Sequence, residues 1–232
     1  MAPQWNTMPY FKDINTIFIH IPKNAGTSIV TSISKHLDDN GLSPGVHPIR
    51  KHEPALNYLY GMNKQTFLKC NKFSVIRNPL DRLVSWYFYN KDFWNNKENL
   101  PTLETYNCYS SSCKNKFIES DFNSWIKELT DYGGEGACKD TTCPFHITAA
   151  QHLFLVDRAG KILVSSVLRY ENLSTEWEHF SSYILKTDNP PKLSTKNKGT
   201  YGKHYLEYYS RGSVKIAKDI YKKDFEYFNY KL

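Results

Sequence analysis

Pro22-Lys23-Asn24-Ala25-Gly26-Thr27-Ser28 places a lysine, a glycine and two hydroxyls next to one another. This combination is suited to holding an anion. The apolar run 17–21 precedes it, and Ile29, Val30, Ile33 and Leu37 follow at helical spacing. The segment therefore reads as strand, tight loop and helix N-terminus. Unpaired backbone N–H groups and the positive end of the helix dipole converge at such a point, and Lys23 adds a full charge. The expected ligand is a phosphate or a group shaped like one.

The residue order is not that of a Walker A loop, because Lys23 comes before Gly26 and the opening glycine is missing. At the end of the next apolar run, Phe73-Ser74-Val75-Ile76, Arg77 stands where an NTPase would carry an acidic Mg²⁺ ligand. No metal is expected. A sulfuryl group carries less charge than a phosphoryl group and needs less metal assistance. Arg77 closes that run and Ser85 follows eight positions later, about two turns into the next helix. A guanidinium and a hydroxyl together suit a terminal phosphate; the plainer alternative is an Arg77–Asp81 ion pair with an incidental serine.

The elements needed to position these groups can be read from the pattern. Residues 16–21 are expected as a strand, 27–38 as a helix, and 39–52 as a loop with Gly41, Pro44, Gly45 and Pro48. A short helix is expected from about Pro54. The run 73–76 lacks alternation, as in a strand covered on both faces. Pro79 suits a first helical turn, and Leu80, Leu83, Val84, Tyr87 and Phe88 make an amphipathic helix. Ile118, Phe122, Trp125 and Leu129 mark another. Residues 152–156 and 162–168 read as short strands around a turn. Helices carrying Leu173, Trp177, Phe180 and Ile184, and then Val214 through Phe228, follow. Alternating strands and helices imply an α/β fold with a central, mainly parallel sheet flanked by helices. The two strand-to-helix turns then share the carboxyl edge, where such sheets bind ligands. One domain is expected over 1–232, with an irregular insertion at about 91–148.

A formal charge of +7 over 232 residues favours an anionic partner or simple solubility. No nucleic-acid motif is present, and no apolar run has transmembrane length. The first residues lack the pattern of a signal peptide, so a cytoplasmic location is expected, with a luminal one if an anchor has been trimmed. Cys70 reads as a small core residue. Cys108/Cys113 and Cys138/Cys143 are two pairs, each with four residues between, open to free thiols, local disulfides or a four-thiolate zinc site.

Together these residues resemble the sulfotransferases that use 3′-phosphoadenylylsulfate (PAPS), most closely the carbohydrate, heparan-sulfate 2-O type. Residues 22–28 are similar to that family's 5′-phosphosulfate loop, and Phe73 to Ser85 to its 3′-phosphate motif. Gln151-His152-Leu153-Phe154-Leu155, Arg169-Tyr170-Glu171-Asn172-Leu173 and Asp224-Phe225-Glu226-Tyr227-Phe228 resemble further segments. The resemblance implies a P-loop-like sulfotransferase fold. It implies that Lys23 contacts the transferring group and the leaving phosphate oxygen. Asn24, Ala25, Gly26, Thr27 and Ser28 would hold the 5′-phosphate, Arg77 and Ser85 the 3′-phosphate, and the basic loop 192–203 could close over the nucleotide. It also implies two local disulfides, hence an oxidising lumen, which conflicts with the missing signal segment.

The acceptor hydroxyl needs a base, and the resemblance puts a histidine between the two motifs, where His36, His47 and His52 lie. His36 reads as solvent-facing. His52 is in the best place, with Glu53 to orient it; His47 comes second, and His146 suits the acceptor site. A carbohydrate acceptor is expected. Small alcohols, phenols or peptide tyrosine are alternatives, with the rings at 86–89 either lining a site or forming core. A P-loop kinase and a non-catalytic binder of anionic glycan or nucleotide are the competing classes.

Overall fold

The computed structural model describes residues 7–8, 10–43, 47–50, 52–95, 120–129, 148–193 and 201–231. Both cysteine pairs, His146, Lys196, Lys198 and most of the expected insertion lie outside them. In chain order the elements are β1 (Thr7–Met8), β2 (Tyr10–Phe11), β3 (Thr16–Ile19), α1 (Gly26–Asp39), β4 (His47–Arg50), α2 (Ala55–Gly61), α3 (Lys64–Lys69), β5 (Asn71–Ile76), α4 (Pro79–Asn95), α5 (Phe122–Glu128), β6 (Ser166–Arg169), α6 (Leu173–Leu185), α7 (Arg211–Ile220) and α8 (Lys222–Tyr227). They form two compact units, Met1–Arg77 with Gln151–Asn197, and Asn78–Ala150 with Lys198–Leu232.

The first unit holds the α/β sheet, in strand order β2-β3-β5-β6. β3, β5 and β6 are parallel, and β2 pairs antiparallel with β3. All four residues of β3 and the last four of β5 are buried, which explains their unbroken apolar runs. The apolar stripes of α1 (Ile29, Ile33, Leu37) and α6 (Leu173, Trp177, Phe180, Ile184) join Phe18, Phe73, Val75 and Leu168 in one core. Phe73 links the layers, with ring centroids 4.8 Å from Phe18 and 4.7 Å from Phe180.

Two local expectations are corrected here. Residues 47–50, expected as loop, form β4 and pair antiparallel with β1. His152 to Phe154, expected in a strand, belongs to a 3-10 turn over Gln151–Phe154, in which the His152 carbonyl accepts from Leu155 and Val156 at 2.9 and 3.1 Å. A run as short as Leu153 to Val156 carries too few residues to separate the two periods. The strand expected over 162–168 is β6, at 166–169, and only a single bridge joins Val156 to Ile162.

The second unit packs α4 with α5 and α7. Asn78 caps α4 through its side chain, accepting from Leu80 N–H at 3.0 Å, and Pro79 occupies the first turn where no amide donor is needed. Tyr87 and Phe122 meet at 5.3 Å, Phe122 and Tyr209 at 4.8 Å, and Phe88 and Tyr208 at 4.9 Å. Trp86 and Tyr87 are therefore core, while Tyr89 is exposed. The helix expected over the last residues breaks at Tyr221 into α7 and α8. Among the described residues no helix is long and apolar enough to cross a membrane.

Candidate functional site

β3 and β5 run parallel with Ile19 beside Ser74, so their carboxyl ends share one edge. The chain leaves β3 through His20 to Ala25 and enters α1 at Gly26. Lys23 and Ala25 have φ of 71° and 60°, with Asn24 between them at negative φ. Neither is glycine, so this left-handed backbone costs roughly 1–3 kcal/mol per residue. Successive amides curled in this way form the concave nests that bind anions. Ala25 sits at the N-cap of α1 and has no side-chain oxygen to accept from the first-turn amides, as Ser, Thr, Asp or Asn would have.

The loop is tied to the end of β5. Asn24 is buried and donates through Nδ2 to the Val75 carbonyl at 2.8 Å and to Gln151 Oε1 at 2.7 Å. Gln151 Oε1 also accepts from the Arg77 amide at 3.0 Å, and its Nε2 donates to the Arg77 carbonyl at 2.8 Å. Arg77 Nη1 returns to the Lys23 carbonyl at 3.1 Å. The Arg77 guanidinium lies 4.0 Å from the centroid of the Tyr170 ring, a cation–π contact that holds its plane. Lys23 and Arg77 are thus assembled on one edge. Burial, with the Arg77 charge adding to it, pushes the Lys23 amine down from 10.5 to about 7. A cation in that position is costly, and a bound anion would offset the cost.

His52 reaches the same loop. Its Nδ1 lies 3.0 Å from the His20 carbonyl. A carbonyl only accepts, so Nδ1 carries the proton and the neutral ring keeps its lone pair on Nε2. Glu53, expected to orient His52, instead accepts from Asn57; the orientation comes from the backbone of His20. The His20 and His52 rings meet edge-on at 4.4 Å, and the His20 ring also stacks on Phe18 at 5.5 Å.

Gly26 is required by this packing rather than by its own backbone. A Cβ there would stand 1.9 Å from His20 Nε2. Gly26→Ala should displace His20 at about 1–3 kcal/mol, as overpacking does. That corresponds to a fall of roughly 2–10 °C in Tm for a chain of this size, read by thermal denaturation. An unchanged Tm would mean that His20 moves aside freely.

Of the other residues named from the sequence, Ser28 and Thr27 occupy the first turn of α1. Ser85 is buried on α4, in the second unit. His36 is half-buried in the last turn of α1, and His47 opens β4. Cys70 is buried with a free thiol, donating to Asn15 Oδ1 at 3.1 Å. No group of three or more His, Cys, Asp or Glu residues among those described could hold a metal ion.

Compared with known families, the chain matches the model described as the sulfotransferase family over residues 8–231. The chain belongs to the sulfotransferase family. Neither the curated proteins nor the solved structures gave a match. The mainly parallel α/β sheet is accordingly that of a sulfotransferase, and sulfuryl transfer is the reaction class. Three residues gain weight in this sulfotransferase that the sequence did not single out. His20 and Gln151 are buried polar groups bonded to or packed on the loop, and Tyr170 holds Arg77. Gln151 and Tyr170 fall in segments that resemble the family, but only tertiary contacts show what they touch.

Proposed function

We propose that this sulfotransferase moves a sulfuryl group from PAPS to a hydroxyl of a carbohydrate by in-line displacement. The observation that carries the proposal is the pairing of two cations, Lys23 and Arg77, across one braced edge beside a helix N-terminus. A nucleotide with phosphates on both its 5′ and 3′ positions offers two anions to such a pair.

The donor, when bound, supplies a sulfuryl group on a 5′-phosphate whose departure leaves negative charge behind. In this reading the amides and hydroxyls of Asn24 to Ser28 hold the 5′-phosphate, and Arg77 holds the 3′-phosphate. Lys23 stabilises charge on the leaving oxygen, the kind of preorganised electrostatic help that dominates many enzymatic rates. His52, with its proton on Nδ1, presents Nε2 as the base that takes the acceptor's proton. No metal enters the reading.

The carbohydrate acceptor rests on the resemblance to glycan 2-O enzymes. It is tested by incubating the protein with PAPS and separate acceptors: a desulfated glycan, a simple phenol and a tyrosine peptide. Adenosine 3′,5′-bisphosphate release is followed in each. Release stimulated by the glycan alone is expected. Stimulation by the phenol or peptide alone would reassign the acceptor, and none with any hydroxyl would favour a non-catalytic binder.

A further inference from the structure

We propose that Gln151 is a positioning residue that sets the spacing between the loop carrying Lys23 and the strand end carrying Arg77. It thereby determines the preference for a ligand with two separated phosphates. The inference rests on the two-phosphate reading above and deepens it.

Gln151 is fully buried, and three hydrogen bonds meet on its side-chain amide at one point of the sheet edge. Oε1 takes the Asn24 side-chain N–H at 2.7 Å and the Arg77 backbone N–H at 3.0 Å. Nε2 gives to the Arg77 carbonyl at 2.8 Å. The two backbone bonds fix which end of the amide is which, since an N–H can only donate and a carbonyl only accept. The Asn24 amide is oriented in turn, because Nδ2 must also serve the Val75 carbonyl. One side chain therefore holds both amide faces of Arg77 and, through Asn24, the residue directly after Lys23.

β5 ends at Ile76, and Gln151 pairs with both the backbone N–H and the carbonyl of Arg77 just beyond it. Gln151 does for Arg77 what a neighbouring strand would do, and adds a tie to the loop on β3. A glutamine suits the task because it combines an acceptor for two donors with a donor for one carbonyl; an acid or an aliphatic side chain lacks one or both. Another link between the arms, Arg77 Nη1 to the Lys23 carbonyl, uses the guanidinium that would face the ligand. Gln151, by contrast, holds Arg77 by its backbone and leaves the guanidinium available to the ligand.

The test is a ratio of affinities, measured by calorimetry for adenosine 3′,5′-bisphosphate and for AMP. Gln151→Met keeps the length and removes all three bonds. Its affinity for AMP, which engages one arm, should fall no more than about threefold, while affinity for the bisphosphate falls about tenfold or more, because two-point binding depends on prepaid geometry. Asn24→Ala cuts the tie from the loop side, retains the backbone amide, and should shift the ratio in the same direction if Gln151→Met does not fold. Equal losses for both ligands, or an unchanged ratio in a folded variant, would overturn the positioning role. If the unmodified protein binds AMP as tightly as the bisphosphate, the two-phosphate reading itself fails.

Discussion

Lys23→Met should lower kcat by about a thousandfold, the scale of losing one preorganised group at a developing negative charge. Donor affinity should fall far less. Methionine keeps the length and the apolar stem, so the loop keeps its packing and loses only the cation. The ammonium is held against burial and against Arg77, which together bring it to about 7. It is therefore a weak ground-state cation that gains most when negative charge grows beside it. The sign of the pH dependence follows. Above about pH 7 the free protein increasingly carries the neutral amine, and a bound phosphate pulls it back to the charged form. At pH 8, binding of adenosine 3′,5′-bisphosphate should thus take up close to one proton, read as a buffer-dependent enthalpy, and affinity should decline as pH rises. Lys23→Met should abolish the uptake. In the free protein the amine titrates lower than in the unfolded chain, so its contribution makes stability rise with pH between about 7 and 10.5.

His52→Ala should remove roughly 10²–10⁴-fold of kcat, the usual range for a general base, and leave nucleotide affinity almost unchanged. His52 is bonded to the loop at the His20 carbonyl, so its loss should spare the proposed anion site. The pH–rate profile of the intact enzyme should lose its acidic limb in the variant. Retained turnover would move the role to His47 or His146. A parallel fall in nucleotide affinity would instead mean that His52 supports the loop through its ring contact with His20.

The core elements were legible because each is long or strongly patterned. Burial of all of β3 and of the last four residues of β5, and helical spacing at Ile29, Ile33 and Leu37, determine period and partner together. The loop order, lysine before glycine, already separated this site from a Walker loop. Less legible was why Gly26 is glycine. Its neighbours Lys23 and Ala25 hold the left-handed backbone, and Gly26 makes room for His20. That requirement arises from a ring six residues earlier in the chain and leaves no local pattern. Gln151 was invisible as a brace for the same reason, since its partners lie 74 and 127 residues away. Glu53 misled because adjacency in sequence suggested contact with His52, whereas the start of α2 turned it toward Asn57. β4 was missed because Pro48 is a residue depleted in strands and because, among the described residues, its partner is the two-residue β1.

The central claim is a clamp for two phosphates on one nucleotide, and calorimetry with adenosine 3′,5′-bisphosphate, AMP and ATP tests it most directly. The expected result is much tighter binding of the bisphosphate than of either other nucleotide, with the preference lost in Arg77→Ala. Equal affinity for AMP and the bisphosphate, or a preference that survives Arg77→Ala, would contradict it.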